Sequence, residues 1–297
     1  MARKIKLAQM DIETVDKEIQ QFIINRLKVF NQKGIVVGLS GGVDSTVAAI
    51  EAVKAFQNYQ PDFKVKAYIL PSQVNSPADE EDGLAVAKKL EIPYEVMSIQ
   101  EIVDVYKQKG LLACKENNQF HLGNMTSRIR ANILHSEASA LNYSVIGTGN
   151  WDEDWVLGYY TVLGDGAVNM SPLGNLSKRL IQQLARFHGF NKHADREPTA
   201  ALETGQTDFK DLGYGYDTCE IVGRGIAQGF KREKLIFHHQ IVDSVRKDIE
   251  LYKELFGSYK FNNVEEVVDD ILKRHDMALK KAEWISPTIC PLSLKYI

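Results

Sequence analysis

The stretch GIVVGLSGGVDSTVAA, residues 34–49, decides the fold of this chain. It runs from a short β-branched segment, residues 35–37, through two glycines into a segment with helical spacing. Glycines permit unusual dihedrals and close approach by a ligand, and a helix N-terminus presents free N–H groups to an anion. The predicted phosphate-binding residues are Ser40, Gly41, Gly42, Val43, Asp44 and Ser45.

This loop lacks the lysine of the Walker pattern, because Asp44 stands before Ser45. A carboxylate among phosphates is repulsive unless a divalent cation lies between them, and Mg²⁺ favours carboxylate and phosphate oxygens together. The loop therefore predicts a metal–pyrophosphate site rather than transfer of a γ-phosphate. A simple Gly-Gly turn with Asp44 as a capping residue is the structural alternative.

Composition narrows the class of protein. The chain has 297 residues, of which 44% are hydrophobic and 25% charged, which is ordinary for a soluble protein with a sizeable core. A net charge of −3 argues against a broad nucleic-acid-binding face. The sequence shows neither a signal peptide nor an apolar run of about 18 residues, so we expect no membrane segment. The three dispersed cysteines, Cys114, Cys219 and Cys290, suit a cytoplasmic protein without a zinc or dithiol motif.

Strand and helix patterns alternate along the chain. Strands are expected at 35–37, 65–70, 93–97 and 143–146, and helices at 15–30, 45–56, 78–90, 124–141 and 175–188. This alternation predicts an α/β fold with a doubly wound parallel sheet, in which the fourth of these strands lies beside the first. We expect Asn175 to be the N-cap of the last helix. We also expect one domain over residues 1–297, with a helical extension from about residue 219.

The motif SGGxDS after a strand resembles the PP-loop of the ATP pyrophosphatases. The resemblance implies an adenine nucleotide alpha hydrolase-like, Rossmann-like fold. It also implies that ATP is cleaved between its α- and β-phosphates. A carboxyl or carbonyl oxygen is then adenylated, and a nitrogen or sulfur nucleophile displaces AMP.

Three further stretches narrow the branch: GNMTSRIR (123–130), GTGNWDED (147–154) with GYYT and GDG behind it, and SPLGNLSK (171–178) followed by EPTA and GQTD. In this order they resemble the ammonia-dependent NAD synthetases over roughly residues 15–217. The resemblance implies adenylation of deamido-NAD, release of pyrophosphate, and attack by ammonia to give NAD and AMP. It also implies a homodimer that uses ATP as co-substrate with Mg²⁺. Free ammonia, or ammonia from a separate protein, is the implied nitrogen source.

The resemblance also assigns roles to individual residues. It makes Asp44, Glu153 and Lys178 catalytic, with Asp44 and Glu153 as ligands of Mg²⁺. Lys178 is expected in the first turn of its helix, where the dipole disfavours a cation unless a triphosphate is bound. Besides the PP-loop residues, the implied ATP contacts are Thr148, Lys178 and Thr199. The implied substrate contacts are Asn124, Arg128, Asp165 and Asn169.

The sequence departs from the family pattern where the dinucleotide would bind. Val162 follows GYYT where many members have lysine, and Asn169 stands where many have aspartate. The C-terminal His-Lys-Arg run is reduced to Lys280 and Lys281. The acceptor therefore stays open, and a related amide ligase for another carboxylate is one alternative. A non-catalytic nucleotide-binding module is another; a tRNA-thiolating enzyme would call for cysteines and a basic face.

Overall fold

The computed structural model describes residues 3–115, 119–200 and 205–297. Its strands are β1 (Ala8–Gln9), β2 (Gly34–Gly38), β3 (Lys64–Ile69), β4 (Tyr94–Val96), β5 (Ser144–Val145) and β6 (Lys295–Tyr296). Its first helices are α1 (Ile12–Phe30), α2 (Val43–Tyr59), α3 (Pro77–Lys89), α4 (Gln100–Gln108) and α5 (Gln119–Leu141). Those after β5 are α6 (Lys178–Phe187), α7 (Asn191–Asp195), α8 (Asp208–Leu212), α9 (Tyr216–Ala227), α10 (Arg232–Leu235), α11 (His239–Phe256) and α12 (Val264–Trp284). A 3₁₀ turn covers Leu112–Cys114, and a π-helix covers Asp152–Leu157.

The main sheet has the order β4-β3-β2-β5, and its paired strands are parallel. Ile35 of β2 pairs with Val65 of β3 on one side and with Ser144 of β5 on the other. The predicted α/β fold and the predicted adjacency of β2 and β5 are therefore confirmed. Because carboxyl ends of parallel strands meet at one edge, the SGGVDS loop lies beside the segment that follows β5.

Both faces of this sheet are covered, as a nearly continuous apolar strand requires. Ile35 and Val37 of β2 belong to a core that α1, α2 and α6 cover, whereas Val36 belongs to a second core under α4 and α5. All three side chains are fully buried, which stabilises the fold by about 1.5–3 kcal/mol for each of them. A third core joins α9, α11 and α12 to Val156 and Leu157 of the π-helix.

The helical extension from about residue 219 stays a prediction, and the structure has helices in that region. Residues 219–240 supply most of α9, all of α10 and the first two residues of α11. A single domain over residues 1–297 stays a prediction, although α9 and α12 both pack against the π-helix that follows β5. Among the described residues, none of the helices is long and apolar enough to cross a membrane.

The predicted start of α6 is wrong. Asn175 is not its N-cap: its side-chain amide donates to the carbonyl of Cys290 at 2.7 Å, and the helix begins at Lys178. The backbone N–H of Lys178 donates instead to Asp152 Oδ2 at 2.8 Å. A carboxylate from a distant segment thus replaces the local cap. An antiparallel pair, Ala8 with Tyr296 and Gln9 with Lys295, was also not predicted.

Candidate active site

The PP-loop joins β2 to α2 in an open turn. Gly42 is the N-cap of α2 in an extended conformation, and it has no side chain to cap the helix. The helical hydrogen bonds begin where Thr46 N donates to the carbonyl of Gly42 at 3.2 Å. The N–H groups of residues 43–45 precede that first bond, as an anion site at a helix N-terminus requires. The hydroxyls of Ser40 and Ser45 lie 3.1 Å apart and close the turn.

Gly41 is held tightly at the back of this loop. Its φ is +80°, and a Cβ there would lie 2.5 Å from the carbonyl oxygen of Asp79. The guanidinium of Arg196 donates to the carbonyl of Gly41 at 3.0 Å and to Asp82 Oδ2 at 2.9 Å, and it also pairs with Asp79. Sequence reasoning missed Arg196, which fixes the loop against α3.

Asp44, Glu153 and Lys178 come together in front of the loop. Lys178 Nζ lies 2.7 Å from Asp44 Oδ2 and 2.5 Å from Glu153 Oε1. The lysine side chain is 4% exposed, so its charge has little contact with water. Burial alone lowers the pKa of Lys178, but the facing carboxylates Asp44 and Glu153 raise it above its ordinary value. The ammonium therefore stays charged between two carboxylates.

Glu153 has a second partner, Tyr216, on the same carboxylate oxygen that Lys178 contacts. The hydroxyl of Tyr216 lies 2.9 Å from Glu153 Oε1 and 2.7 Å from Asp208 Oδ2, and its single proton serves one of them at a time. Burial raises the pKa of Glu153 to about 7 and also raises the pKa of Asp208. Asp208 ends the GQTD stretch, one of the motifs that carry the family resemblance, so the sequence offered a signal for this residue. Nothing in the sequence singled out Tyr216.

Asn150 sets the position of both carboxylates. Its side-chain Nδ2 donates to Asp44 Oδ1 at 3.0 Å, and its side-chain Oδ1 accepts the backbone N–H of Glu153 at 3.0 Å. The residue is fully buried. It is the last residue of the GTGN motif, so that motif works by joining the end of β5 to the start of α2.

A cavity of about 620 Å³ opens from these groups. The predicted residues that line it are Ser40, Gly42, Val43, Asp44, Ser45, Asn124, Thr148, Glu153, Asp165, Lys178 and Thr199. All the predicted ATP contacts except Gly41, and two of the predicted substrate contacts, thus line one cavity. Gly41 lies behind the loop, where it meets Arg196.

Two predicted substrate contacts lie elsewhere. Arg128 is exposed, and its Nε donates to the carbonyl of Val162 at 3.3 Å. Asn169 Oδ1 accepts the backbone N–H of Val145 at 2.7 Å, so this side chain continues the edge of β5. Neither belongs to the lining that the described residues give the cavity. Their roles as substrate contacts stay predictions.

Basic side chains that were not predicted as contacts also line the cavity, among them Arg130, Arg274 and Lys281. Arg130 is fixed by the carbonyl of Leu70 at 3.0 Å and by Asn75 Oδ1 at 2.9 Å. Lys281 donates to the carbonyl of Gly158 at 2.7 Å, and burial lowers its pKa. The reduced basic run of α12 therefore still delivers one lysine to the cavity.

The donor set in front of the loop fits Mg²⁺. Carboxylate oxygens of Asp44 and Glu153 converge on one point, now held by Lys178 Nζ, beside a loop that offers N–H groups to phosphate. Hard oxygen ligands with substrate phosphates are the usual surroundings of this ion. The loop and these three side chains can therefore bind a nucleoside triphosphate and stabilise the charge that develops on its phosphates.

The fold is a parallel α/β sheet, and this loop and a lysine between two carboxylates lie where its strands end. These features define a PP-loop enzyme that acts on ATP. The family model described as NAD synthase matches residues 15–260. The chain therefore belongs to the NAD synthase family, whose general function is the ATP-dependent amidation of deamido-NAD by ligases.

Individual relatives agree with this family. The chain is 34% identical over 246 residues to the NH(3)-dependent NAD(+) synthetase of Staphylothermus marinus, covering 82% of this chain and 87% of that protein. It is 36% identical over 231 residues to the NH(3)-dependent NAD(+) synthetase of Thermococcus sibiricus, covering 77% of this chain and 87% of that protein. Among solved structures, the NMN synthetase of Francisella tularensis matches with a TM-score of 0.67 at 26% identity, over 86% of this chain and 98% of that one. The NH3-dependent NAD synthetase of Campylobacter jejuni matches with a TM-score of 0.61 at 26% identity, over 80% of this chain and 95% of that one.

Proposed function

We propose that this chain uses ATP and ammonia to amidate the nicotinate carboxylate of deamido-NAD, giving NAD, AMP and pyrophosphate. The observation that supports it best is the position of Lys178, whose buried ammonium faces both a phosphate-binding loop and two carboxylates. Mere binding of a nucleotide has no need of this set of three charges.

In the first step, an oxygen of the substrate carboxylate attacks the α-phosphorus of ATP, and the bond to the β-phosphate oxygen breaks. The N–H groups at the start of α2 receive the leaving pyrophosphate, and Lys178 stabilises charge on the phosphoryl oxygens. Mg²⁺, when bound, would be held by Asp44 and Glu153 and would supply further neutralisation of phosphate charge.

In the second step, ammonia attacks the carbonyl carbon of the adenylate, and the carbon–oxygen bond to AMP breaks. The nitrogen loses a proton as the amide forms. We propose free ammonia, or ammonia from a separate protein, as the source. A cytoplasmic location, where thiols stay reduced, fits Cys114, Cys219 and Cys290, which are all free.

We also propose a homodimer. Apolar side chains are exposed in succession from the edge strand β4 through α4 to the start of α5: Tyr94, Val96, Val105, Tyr106 and Phe120 are each 38–74% exposed. An unpaired strand edge with apolar neighbours is a surface that proteins usually cover. Sedimentation of the purified chain tests this, because a concentration-independent monomer would exclude it.

A second candidate acceptor is the nicotinate mononucleotide. Arg128 and Asn169 lie away from the cavity lining, and Val162 replaces a lysine, so the adenylate half of a dinucleotide has fewer contacts than expected. The similarity to a structure described as an NMN synthetase points the same way. The adenylation chemistry would be unchanged, since the same carboxylate reacts.

The test measures pyrophosphate and amide product from ATP and Mg²⁺, with deamido-NAD or nicotinate mononucleotide at equal concentrations, with and without ammonium. Ammonium-dependent formation of NAD supports deamido-NAD as the acceptor. A higher kcat/KM for nicotinate mononucleotide would make the mononucleotide the acceptor instead. Chelation of Mg²⁺ and the Asp44→Asn variant should each abolish pyrophosphate release while the fold stays intact. Normal release by Asp44→Asn would remove Asp44 from the metal site.

A further inference from the structure

A second cluster of ionisable side chains lies away from the cavity, where α1, α2 and the end of α6 meet. It consists of Asp16 of α1, Glu51 of α2 and His188, which caps the C-terminus of α6. Glu51 is fully buried, Asp16 is 8% exposed as a residue, and the His188 side chain is 5% exposed. None of the three lines the cavity described above.

The inner atoms of the cluster converge on one point. His188 Nε2 lies 2.8 Å from Asp16 Oδ1 and 3.3 Å from Glu51 Oε1. The three candidate ligand atoms all lie within 4.8 Å of one another. A tetrahedral ion at about 2.0–2.2 Å from each ligand needs ligand atoms about 3.3–3.6 Å apart. Small side-chain shifts therefore suffice to admit one ion.

The outer oxygens of the carboxylates are already engaged. Gln20, one helical turn after Asp16, donates through its amide to Asp16 Oδ2 at 2.8 Å and to Glu51 Oε2 at 3.4 Å. Asn58 fixes Gln20 in turn, donating to its carbonyl oxygen at 2.8 Å. Partners of this kind orient metal-binding carboxylates in known sites, where they leave the inner oxygen free for the ion.

The inner oxygens face the imidazole. Asp16 Oδ1 is buried and accepts no well-aligned hydrogen bond from the described residues, and its ion-pair partner is His188 Nε2 at 2.8 Å. Two buried carboxylates that face one imidazole need positive charge between them to offset their mutual repulsion. A cation bonded to Asp16 Oδ1, to Glu51 Oε1 and to His188 Nε2 would supply that charge without a protonated imidazole.

We propose that Asp16, Glu51 and His188 bind a divalent first-row transition-metal ion, with Zn²⁺ as the ion to test. One imidazole and two carboxylates suit Zn²⁺ better than Mg²⁺, which binds through oxygen ligands. The ion is structural, because it ties the middle of α2 to α1 and to the C-terminal end of α6. The first turns of α2 and α6 carry Asp44 and Lys178.

The experiment measures Zn²⁺ bound to the purified full chain after chelation and dialysis, in excess Mg²⁺ so that all-oxygen sites are filled. The His188→Gln variant should bind about one equivalent less than the unaltered chain. The matched control is His193→Gln, since His193 is also buried but its ring faces a backbone carbonyl, that of Asp82, at 3.4 Å. This control should bind Zn²⁺ as the unaltered chain does.

Two further variants separate a metal site from an ordinary buried ion pair. Gln20→Ala should weaken Zn²⁺ binding about 10–100-fold, because it releases the outer oxygens. Asp16→Asn should lose the Zn²⁺-dependent rise in Tm that the unaltered chain shows. If the unaltered chain binds no Zn²⁺ beyond what His188→Gln binds, the proposal is wrong. The same holds if Zn²⁺ leaves the Tm of the unaltered chain unchanged.

Discussion

Asp152 and Lys178 are joined by a hydrogen bond of 2.8 Å from the backbone N–H of the lysine to the buried carboxylate. Glu153, the next residue, holds the other end of the same lysine through its ammonium. Two consecutive residues of the π-helix therefore fix both the backbone and the charge of Lys178. The local N-cap position, Ser177, contributes no side-chain hydrogen bond to this helix.

Replacing Asp152 should reveal this capping role. Asp152→Ala should lower the free energy of unfolding by about 0.5–2 kcal/mol, the usual effect of losing a cap, and should lower kcat/KM because Lys178 is less firmly placed. Asp152→Asn keeps an oxygen that can accept the N–H, and burial already raises the pKa of Asp152, so its effect should be smaller. Urea unfolding and steady-state kinetics measure both. Equal losses in the two variants would exclude capping as the reason.

Lys178→Ala should reduce kcat/KM for pyrophosphate release by the equivalent of about 2–4 kcal/mol, because a buried cation facing developing phosphate charge is lost. Lys280→Ala is the matched control, since Lys280 is 62% exposed and pairs only with Asp276 among the described residues. The control should behave as the unaltered chain. Unchanged kinetics in Lys178→Ala would remove this lysine from the reaction.

Glu153 should give opposite pH trends in activity and stability. Its pKa is about 7 in the folded chain against an ordinary value of 4.5, so the folded state binds more protons between these values. Its contribution to the free energy of unfolding therefore falls as pH rises from about 4.5 to about 7. Activity should rise over the same range, because the carboxylate form is the one that holds a cation.

The variant Glu153→Gln isolates this effect from other buried acids. Its stability should change less than that of the unaltered chain between about pH 5 and about pH 8, measured by urea unfolding. Activity should be lost at every pH. An identical pH dependence of stability in both proteins would show that Glu153 does not titrate there.

Gly41→Ala should damage ATP binding through the loop it belongs to. Its φ of +80° and a Cβ 2.5 Å from the Asp79 carbonyl force the loop to shift, and a misplacement of about 1 Å can cost about 10²-fold in rate. Gly229→Ala is the control, because Gly229 has φ +81° with no atom within 4 Å of such a Cβ. Both variants carry the backbone strain, but only Gly41→Ala should lower kcat/KM for ATP. Equal kinetics would mean that the loop tolerates the shift.

The features that could be predicted from sequence are local ones. The β-branched run before SGGVDS, the glycines and the following helical spacing lie within sixteen residues, and the structure builds β2, the loop and α2 from them. The position of Lys178 in a first helical turn and the neighbourhood of β2 and β5 follow from similarly short patterns combined with strand order.

The features that could not be predicted depend on residues far apart in the chain. The contact of Arg196 with Gly41 spans 155 positions, and that of Tyr216 with Glu153 spans 63. Asn175 has the composition of a cap, but its amide is taken by Cys290, 115 positions away. No local periodicity encodes such pairs, because they arise only when the sheet and the C-terminal helices have assembled.

The pairing of Lys178 with Asp44 also has a kinetic consequence. The contact closes 134 residues of chain, and the entropy lost in closing such a loop must be overcome before the ion pair stabilises anything. Helices form from neighbouring residues and need no such closure, so they appear early in folding. A chain returning from denaturant should thus recover its circular dichroism before its capacity to release pyrophosphate, and the interval between the two is the time taken to bring Lys178 and Asp44 together.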